Sequence, residues 1–214
     1  MNIMQSEYEQ IIQSMRSIDS ETIADGAVEL DRYIQAKIKI LWVLRETNGG
    51  GSWDLRDFLK QPFSYNKWHS TFGSVAKISH CLLNNIKPED LNFDAKSVVK
   101  ALKYIAVINI NKKGGGSRIG PSYELHSKRF VDIIQSQIQL LSPELIIAAG
   151  TLDKLPMYAQ YKDNLGNAPF GAVQLSDNQW LVKSYHTAQI SISVPHMYET
   201  MLSALKKSNW DKIG

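Results

Sequence analysis

The sequence predicts an α/β fold of three layers, α/β/α, built around a mostly parallel central sheet. Three observations predict it. Residues 38–44, 104–110 and 144–149 are short apolar runs rich in β-branched side chains, the pattern of strands covered on both faces. Stretches with apolar residues at helical spacing separate these runs. Strands and helices that alternate in this way are joined by crossovers, which lay the strands parallel between helical layers. A chain of 214 residues suits one domain, taken here as 1–214 with an N-terminal helical part at 1–36.

Each element follows from local signals. Tyr8, Ile11, Ile12, Met15 and Ile18 repeat at helical spacing, and Ile23, Ala27, Leu30 and Ile34 do so again after Asp19-Ser20, so two helices are expected to open the chain. The run at 38–44 is the first strand, and it opens into Arg45-Glu46-Thr47-Asn48 and three glycines. An aromatic-rich segment from Trp53 to Phe72 feeds a helix with Val75, Ile78, Cys81 and Leu82 on its buried face, stopped by Asn84-Asn85. Asp94 is placed to cap a helix ending at Leu102. The second strand, 104–110, runs into Lys112-Lys113 and glycines 114–116, where no regular structure is expected. One long helix over 122–141, with Val131, Ile134, Ile138 and Leu141 on one face, stops at Ser142-Pro143. A third strand at 144–149 ends at Gly150. Residues 172–175 and 180–185 flank Ser176-Asp177-Asn178-Gln179 as a hairpin. The last helix begins near Pro195 with Tyr198, Met201, Leu202 and Leu205 facing inward.

Composition narrows the function classes. No apolar run approaches the roughly 18 to 20 residues that span a bilayer, and the N-terminus carries acids early, so neither a membrane partner nor a signal peptide is expected. Cys81 is the sole cysteine. It allows no internal disulfide and no four-thiolate iron–sulfur cluster, and it suits a reducing cytoplasm. His69, His80, His126 and His196 show no HxxxH or HxH spacing, so no zinc or other metal site is expected, and no cofactor. A GxSxG elbow and a Gly-Lys-Ser/Thr phosphate loop are both missing. The net charge of +3 permits nucleic-acid binding without demanding it. We expect a monomer.

In parallel sheets ligands collect beyond the carboxyl ends of the strands, so residues 45–51, 109–118 and 184–189 should converge. The first segment offers Glu46 and Asn48, where a carboxylate at a strand end can orient water or act as general base. The competing reading pairs Glu46 with Arg45 or Lys39, or makes it a helix cap. The second segment offers Asn109 and Asn111, whose amides both donate and accept, then Lys112, Lys113 and Arg118, suited to phosphates. Against this, Asn109 satisfies local backbone groups and the lysines form a solvated loop. The third offers His186, a donor to a developing oxyanion or a proton carrier, or simply a structural histidine after a strand.

Taken together and in order, these segments resemble the uracil-DNA glycosylase superfamily. There, a motif such as GEAPG or GMNPG follows the first strand, a position held here by Arg45-Glu46-Thr47-Asn48-Gly49. Thr71-Phe72-Gly73-Ser74-Val75 is similar to the PFG-type segment whose aromatic stacks on the extruded base. The asparagine that reads the base corresponds best to Asn109 and next to Asn111. A segment of the type LRPxVIVALG is matched by residues 141–150, and the closing HPS or HPA motif by His186-Thr187-Ala188. The resemblance covers about 38–190. Arg45 and Asn48 stand where the family has glycine and proline, and Thr187 where it has proline.

The resemblance implies a uracil-DNA glycosylase-like fold and a monofunctional DNA glycosylase that hydrolyses the N-glycosidic bond of a flipped uracil or other modified base. DNA, single- or double-stranded, would be the partner. Glu46, or Asn48, would position the water and His186 would stabilise the departing base. Phe72 would stack, Asn109 or Asn111 would read the base edge, Lys112, Lys113 and Arg118 would hold phosphates, and Gln189 and Ile190 would fill the gap left in the stack. Two other readings stay open: a nucleic-acid-binding or interaction protein that has lost the chemistry on the same fold, and a nucleotide-handling enzyme using the glycine loops as phosphate cradles.

Overall fold

A computed structural model describes residues 3–61, 71–91, 94–115, 123–188 and 191–212. Helix α1 (Ile3–Ile18) buries Tyr8, Ile12 and Met15, one stripe of its surface. Strand β1 (Gly26–Ala27) and the short helix α2 (Leu30–Ile34) lead to β2 (Ile40–Leu44), all five residues of which are buried. Helices α3 (Leu55–Lys60), α4 (Phe72–Asn84) and α5 (Ala95–Leu102) precede β3 (Ala106–Asn109). Helices α6 (Tyr123–Arg129) and α7 (Val131–Leu141) precede β4 (Leu145–Ala149). Helix α8 (Tyr158–Leu165), the hairpin of β5 (Gly171–Ser176) and β6 (Gln179–Ser184), and helix α9 (Val194–Lys207) complete the chain.

The six strands form one sheet in the order β1-β3-β2-β4-β6-β5. The inner four are parallel and the two edge strands antiparallel. Alternation along the strands divides the core. Ile40, Trp42, Leu44, Val107, Ile147 and Val182 pack with α3, α4, α5 and α9. Leu41, Val43, Ala106, Ile108, Ile146 and Leu181 pack with α1, α7 and α8. These are the two helical layers that the sequence pattern predicts. Within the first layer the Trp42 indole N–H donates to Ser79 Oγ at 2.9 Å.

Local chemistry sets the helix ends. Asp94 Oδ1 accepts from Ser97 N at 2.8 Å and Ser193 Oγ from His196 N at 3.3 Å, capping α5 and α9. Asn85 and Ser142 take left-handed conformations (φ 52° and 43°) and end α4 and α7.

Three sequence expectations need correction. Residues 22–28 are not helical: Ile23 N donates to Lys112 O (2.7 Å), Ala24 N to Trp53 O (2.9 Å) and Val28 N to Ile105 O (3.1 Å). Gly26 has φ 136°, and a Cβ there would lie 1.3 Å from Tyr8 Oη, so tertiary pairing overrides the apolar periodicity. The expected long helix at 122–141 is two helices broken at Phe130, whose ring is fully buried. Helices α3 and α8 lie where no helix is expected. The N-terminal part is also tied to the rest of the fold, because α1 packs on α7. No described helix is long and apolar enough to cross a membrane.

Candidate functional site

Strand β2 lies between β3 and β4, the strands reached by crossovers in opposite directions, so its carboxyl end is the switch point at which ligands bind in sheets of this kind. Past that end the β2 and β3 loops stay zipped: Ile110 N donates to Leu44 O and Asn111 N to Arg45 O, both at 2.9 Å, and Gly115 N to Thr47 O at 2.8 Å. The chain bends at Arg45, whose backbone carbonyl stays tied to the β3 loop.

Glu46 is half-buried, and its Oε2 accepts from Asn111 Nδ2 at 2.8 Å. It makes no ion pair with Arg45 or Lys39 among the described residues, so the competing reading of Glu46 as a charge partner is not what the structure shows. Asn111 is itself fixed, since its Oδ1 accepts from Lys113 N at 3.1 Å. Both ends of that amide are committed to local partners. Asn109 differs: it is 2% exposed, and its Oδ1 has no hydrogen-bond partner among the described residues. Of the two candidate base-reading asparagines, one secures Glu46 and the other keeps a buried acceptor open.

Gly115 makes this arrangement possible. A Cβ there would lie 2.1 Å from Glu46 Cδ. The clash is with the tip of a flexible side chain, so a Gly115→Ala protein is expected to fold at a cost of about 1.5–3 kcal/mol, the loss of one hydrogen bond to a charged group. Its Glu46 carboxylate must leave Asn111. The Asn111 side-chain amide resonances report this directly; if they stay at their wild-type positions, Gly115 does not hold that space. A Cβ at Gly114 would lie 1.3 Å from the Gly49 carbonyl oxygen, so Gly114→Ala should cost more.

Beyond β4, Gly150 adopts φ 69° and donates to Ser184 O at 2.8 Å. A Cβ on it would touch His186 at 3.4 Å, so the histidine packs over the glycine. His186 Nδ1 accepts from Ala188 N at 3.2 Å. That contact leaves the proton on Nε2, making the outward nitrogen a donor. Burial, seconded by the positive charge of Arg45, pushes the imidazole down to about 4. At neutral pH His186 is therefore an uncharged hydrogen-bond donor, suited to an oxyanion and poor as a proton source. The same Arg45 charge acts on Tyr123, a buried residue opening α6, whose phenol is nonetheless held above its ordinary range because burial dominates.

The expected phosphate contacts need correction. Lys112 is fully buried, with Nζ 2.9 Å from both Asp25 carboxylate oxygens and 2.7 Å from Gln137 Oε1. Burial lowers its affinity for a proton, and the Asp25 carboxylate opposes that. It cannot meet a nucleic-acid backbone. Lys113 is paired with Asp19 (3.1 Å) and Glu21 (2.9 Å). Arg118, Gln189 and Ile190 lie outside the described residues. Asn48 is exposed, bridged through its backbone to Gly115. Phe72 begins α4 and packs against the first-layer cluster, the side of the sheet to which alternation from Val107 directs Asn109.

In the sequence Arg45 stands out as a departure from the resembled motif and as a partner for Glu46, while Tyr123, Asp25 and Gln137 do not stand out at all. Arg45 was visible as a cation directly after a buried strand; Tyr123 carried no local signal. Among the described residues no group of three or more His, Cys, Asp or Glu is placed to hold a metal ion. Comparison with protein-family models, with curated proteins and with solved structures finds no match in any of the three.

Proposed function

We propose that the protein is a monofunctional DNA glycosylase that hydrolyses the N-glycosidic bond of a flipped uracil or other modified base. One observation carries the reading: a carboxylate held by a neighbouring amide, Glu46 on Asn111, and His186 in its neutral, Nε2-protonated form follow strands β2 and β6 at the same carboxyl edge of the sheet. Water held by Glu46 attacks the sugar C1′ and gives up a proton to the carboxylate. The bond from C1′ to the base nitrogen breaks, and its electron pair leaves with the base. His186 Nε2–H donates to the oxygen on which that charge develops, an interaction stronger in the transition state than in the ground state. The open acceptor of Asn109 suits an N–H on the base edge. Phe72 offers a stacking face worth about 1–3 kcal/mol, against a flipping cost of roughly a few kcal/mol.

The test is an excision screen. Oligonucleotides carrying uracil, hypoxanthine or modified pyrimidines, single-stranded and duplex, are incubated with the protein and released bases identified by mass. At least one base is expected to be released, leaving an abasic site. Salt-sensitive binding across the panel with no release would transfer the reading to a binding protein that has lost the chemistry.

A further inference from the structure

With Lys112 buried and Lys113 paired, the question of which group meets a phosphate reopens. Arg45 is half-buried just past the carboxyl end of β2, and its guanidinium makes no ion pair or side-chain hydrogen bond among the described residues. An arginine so placed beside two acid-bearing loops ordinarily finds a carboxylate. Its neighbour Glu46 is instead turned to Asn111. Val43 pairs with Ala148 and Ala149 with Ser184, so Arg45, Gly150 and Tyr185-His186 follow neighbouring strands at one edge of the sheet. His186 packs over Gly150, whose missing side chain lets the histidine backbone come that close. Tyr123 opens α6 on the second-layer side of the sheet. It is itself 4% exposed, with its hydroxyl in no side-chain hydrogen bond among the described residues. The shared influence of Arg45 on Tyr123 and His186 agrees with this placement.

We infer that Arg45 and Tyr123, bordered by His186, form a phosphate-binding site that holds the phosphodiester beside the reacting nucleotide. The inference rests on the glycosylase reading for the identity of the strand, and on the geometry alone for the anion. A guanidinium presents paired N–H donors that match two phosphate oxygens, and a phenol kept protonated adds a third donor. An arginine where the resembled family has glycine is then a functional replacement for backbone contacts that Lys112 and Lys113 do not supply.

The experiment follows ring and guanidinium NMR signals of His186 and Arg45 in the full chain, first with inorganic phosphate, then with a short single-stranded oligonucleotide. Saturable shifts of both are expected, with the oligonucleotide binding at least about tenfold more tightly. Arg45→Gln should abolish the phosphate response, weaken the oligonucleotide about tenfold or more, and reduce the slope of log affinity against log salt by about 0.7, one phosphate on a single strand. Arg45→Lys should restore part of the affinity, and Lys113→Gln should change neither. A methylphosphonate at the linkage beside the target nucleotide should match the Arg45→Gln loss. Unchanged oligonucleotide affinity and salt slope in an Arg45→Gln protein with wild-type thermal unfolding would overturn the inference, as would phosphate binding with no gain from the oligonucleotide. Base excision that persists while Arg45 proves silent removes this site and spares the glycosylase reading. Arg45-dependent strand binding without excision of any base does the reverse.

Discussion

Replacing Asp25 by alanine is expected to destabilise the fold by about 3–5 kcal/mol, the cost of stripping one partner from a buried ion pair. Asp25 and Lys112 are both fully buried. The carboxylate takes two contacts from Lys112 Nζ, one from Gln137 Nε2 at 2.8 Å and one from the Asn109 backbone N–H at 2.7 Å. The Asp25 carbonyl accepts from the Tyr8 hydroxyl, which ties α1 to the same point. Alanine leaves the ammonium with Gln137 Oε1 alone, and the Asn109 N–H with nothing. Urea unfolding should show a lower midpoint with little change in slope. Removing both charges, Asp25→Ala with Lys112→Met, should recover part of the loss because no uncompensated charge remains. A shift below about 1 kcal/mol for the single variant would mean the network is not load-sharing in the way its burial implies. Because Asp25 holds the backbone of Asn109 and the side chain of Lys112, the lesion reaches the segment that presents Asn109 and Asn111.

Glu46→Gln is expected to lower the single-turnover excision rate by about 10²–10⁴-fold, the usual worth of a positioned general base, with substrate affinity nearly unchanged. Glutamine keeps the shape and can still face Asn111, so the fold should hold; what it loses is the capacity to take a proton from water. Asn111→Ala should act in the same direction more weakly, since it frees the carboxylate without removing it. The double variant should fall little further than Glu46→Gln, because the two act as one unit. Additive losses would separate Asn111 from Glu46.

Much of the fold was legible because the buried strands state themselves. The runs at 38–44 and 144–149 carry no polar residue that an exposed face would need, apart from Lys39 and Glu144 at their ends, and the caps at Asp94, Asn85 and Ser142 are short-range chemistry. What the pattern could not show was long-range. Residues 22–28 have helical periodicity, yet their N–H groups are taken by residues 105, 53 and 112. Phe130 breaks a helix through its own burial. Glu46, Asn111 and His186 could be picked out as polar groups directly after strands, but the division of labour between Asn109 and Asn111 depends on a contact between two loops. Lys112 shows the limit best. In sequence it is one of a basic pair in a glycine loop; only its partners at positions 25 and 137 reveal that it faces the core.

The most direct measurement is a paired time course under single-turnover conditions, wild type against Glu46→Gln, with the mass of the intact oligonucleotide as readout. The account predicts that wild-type protein converts at least one modified substrate to a product lighter by the base and heavier by water, and that Glu46→Gln protein does so at least about 10²-fold more slowly. Equal rates for the two proteins, or an unchanged mass across the whole panel with wild-type protein, would contradict it.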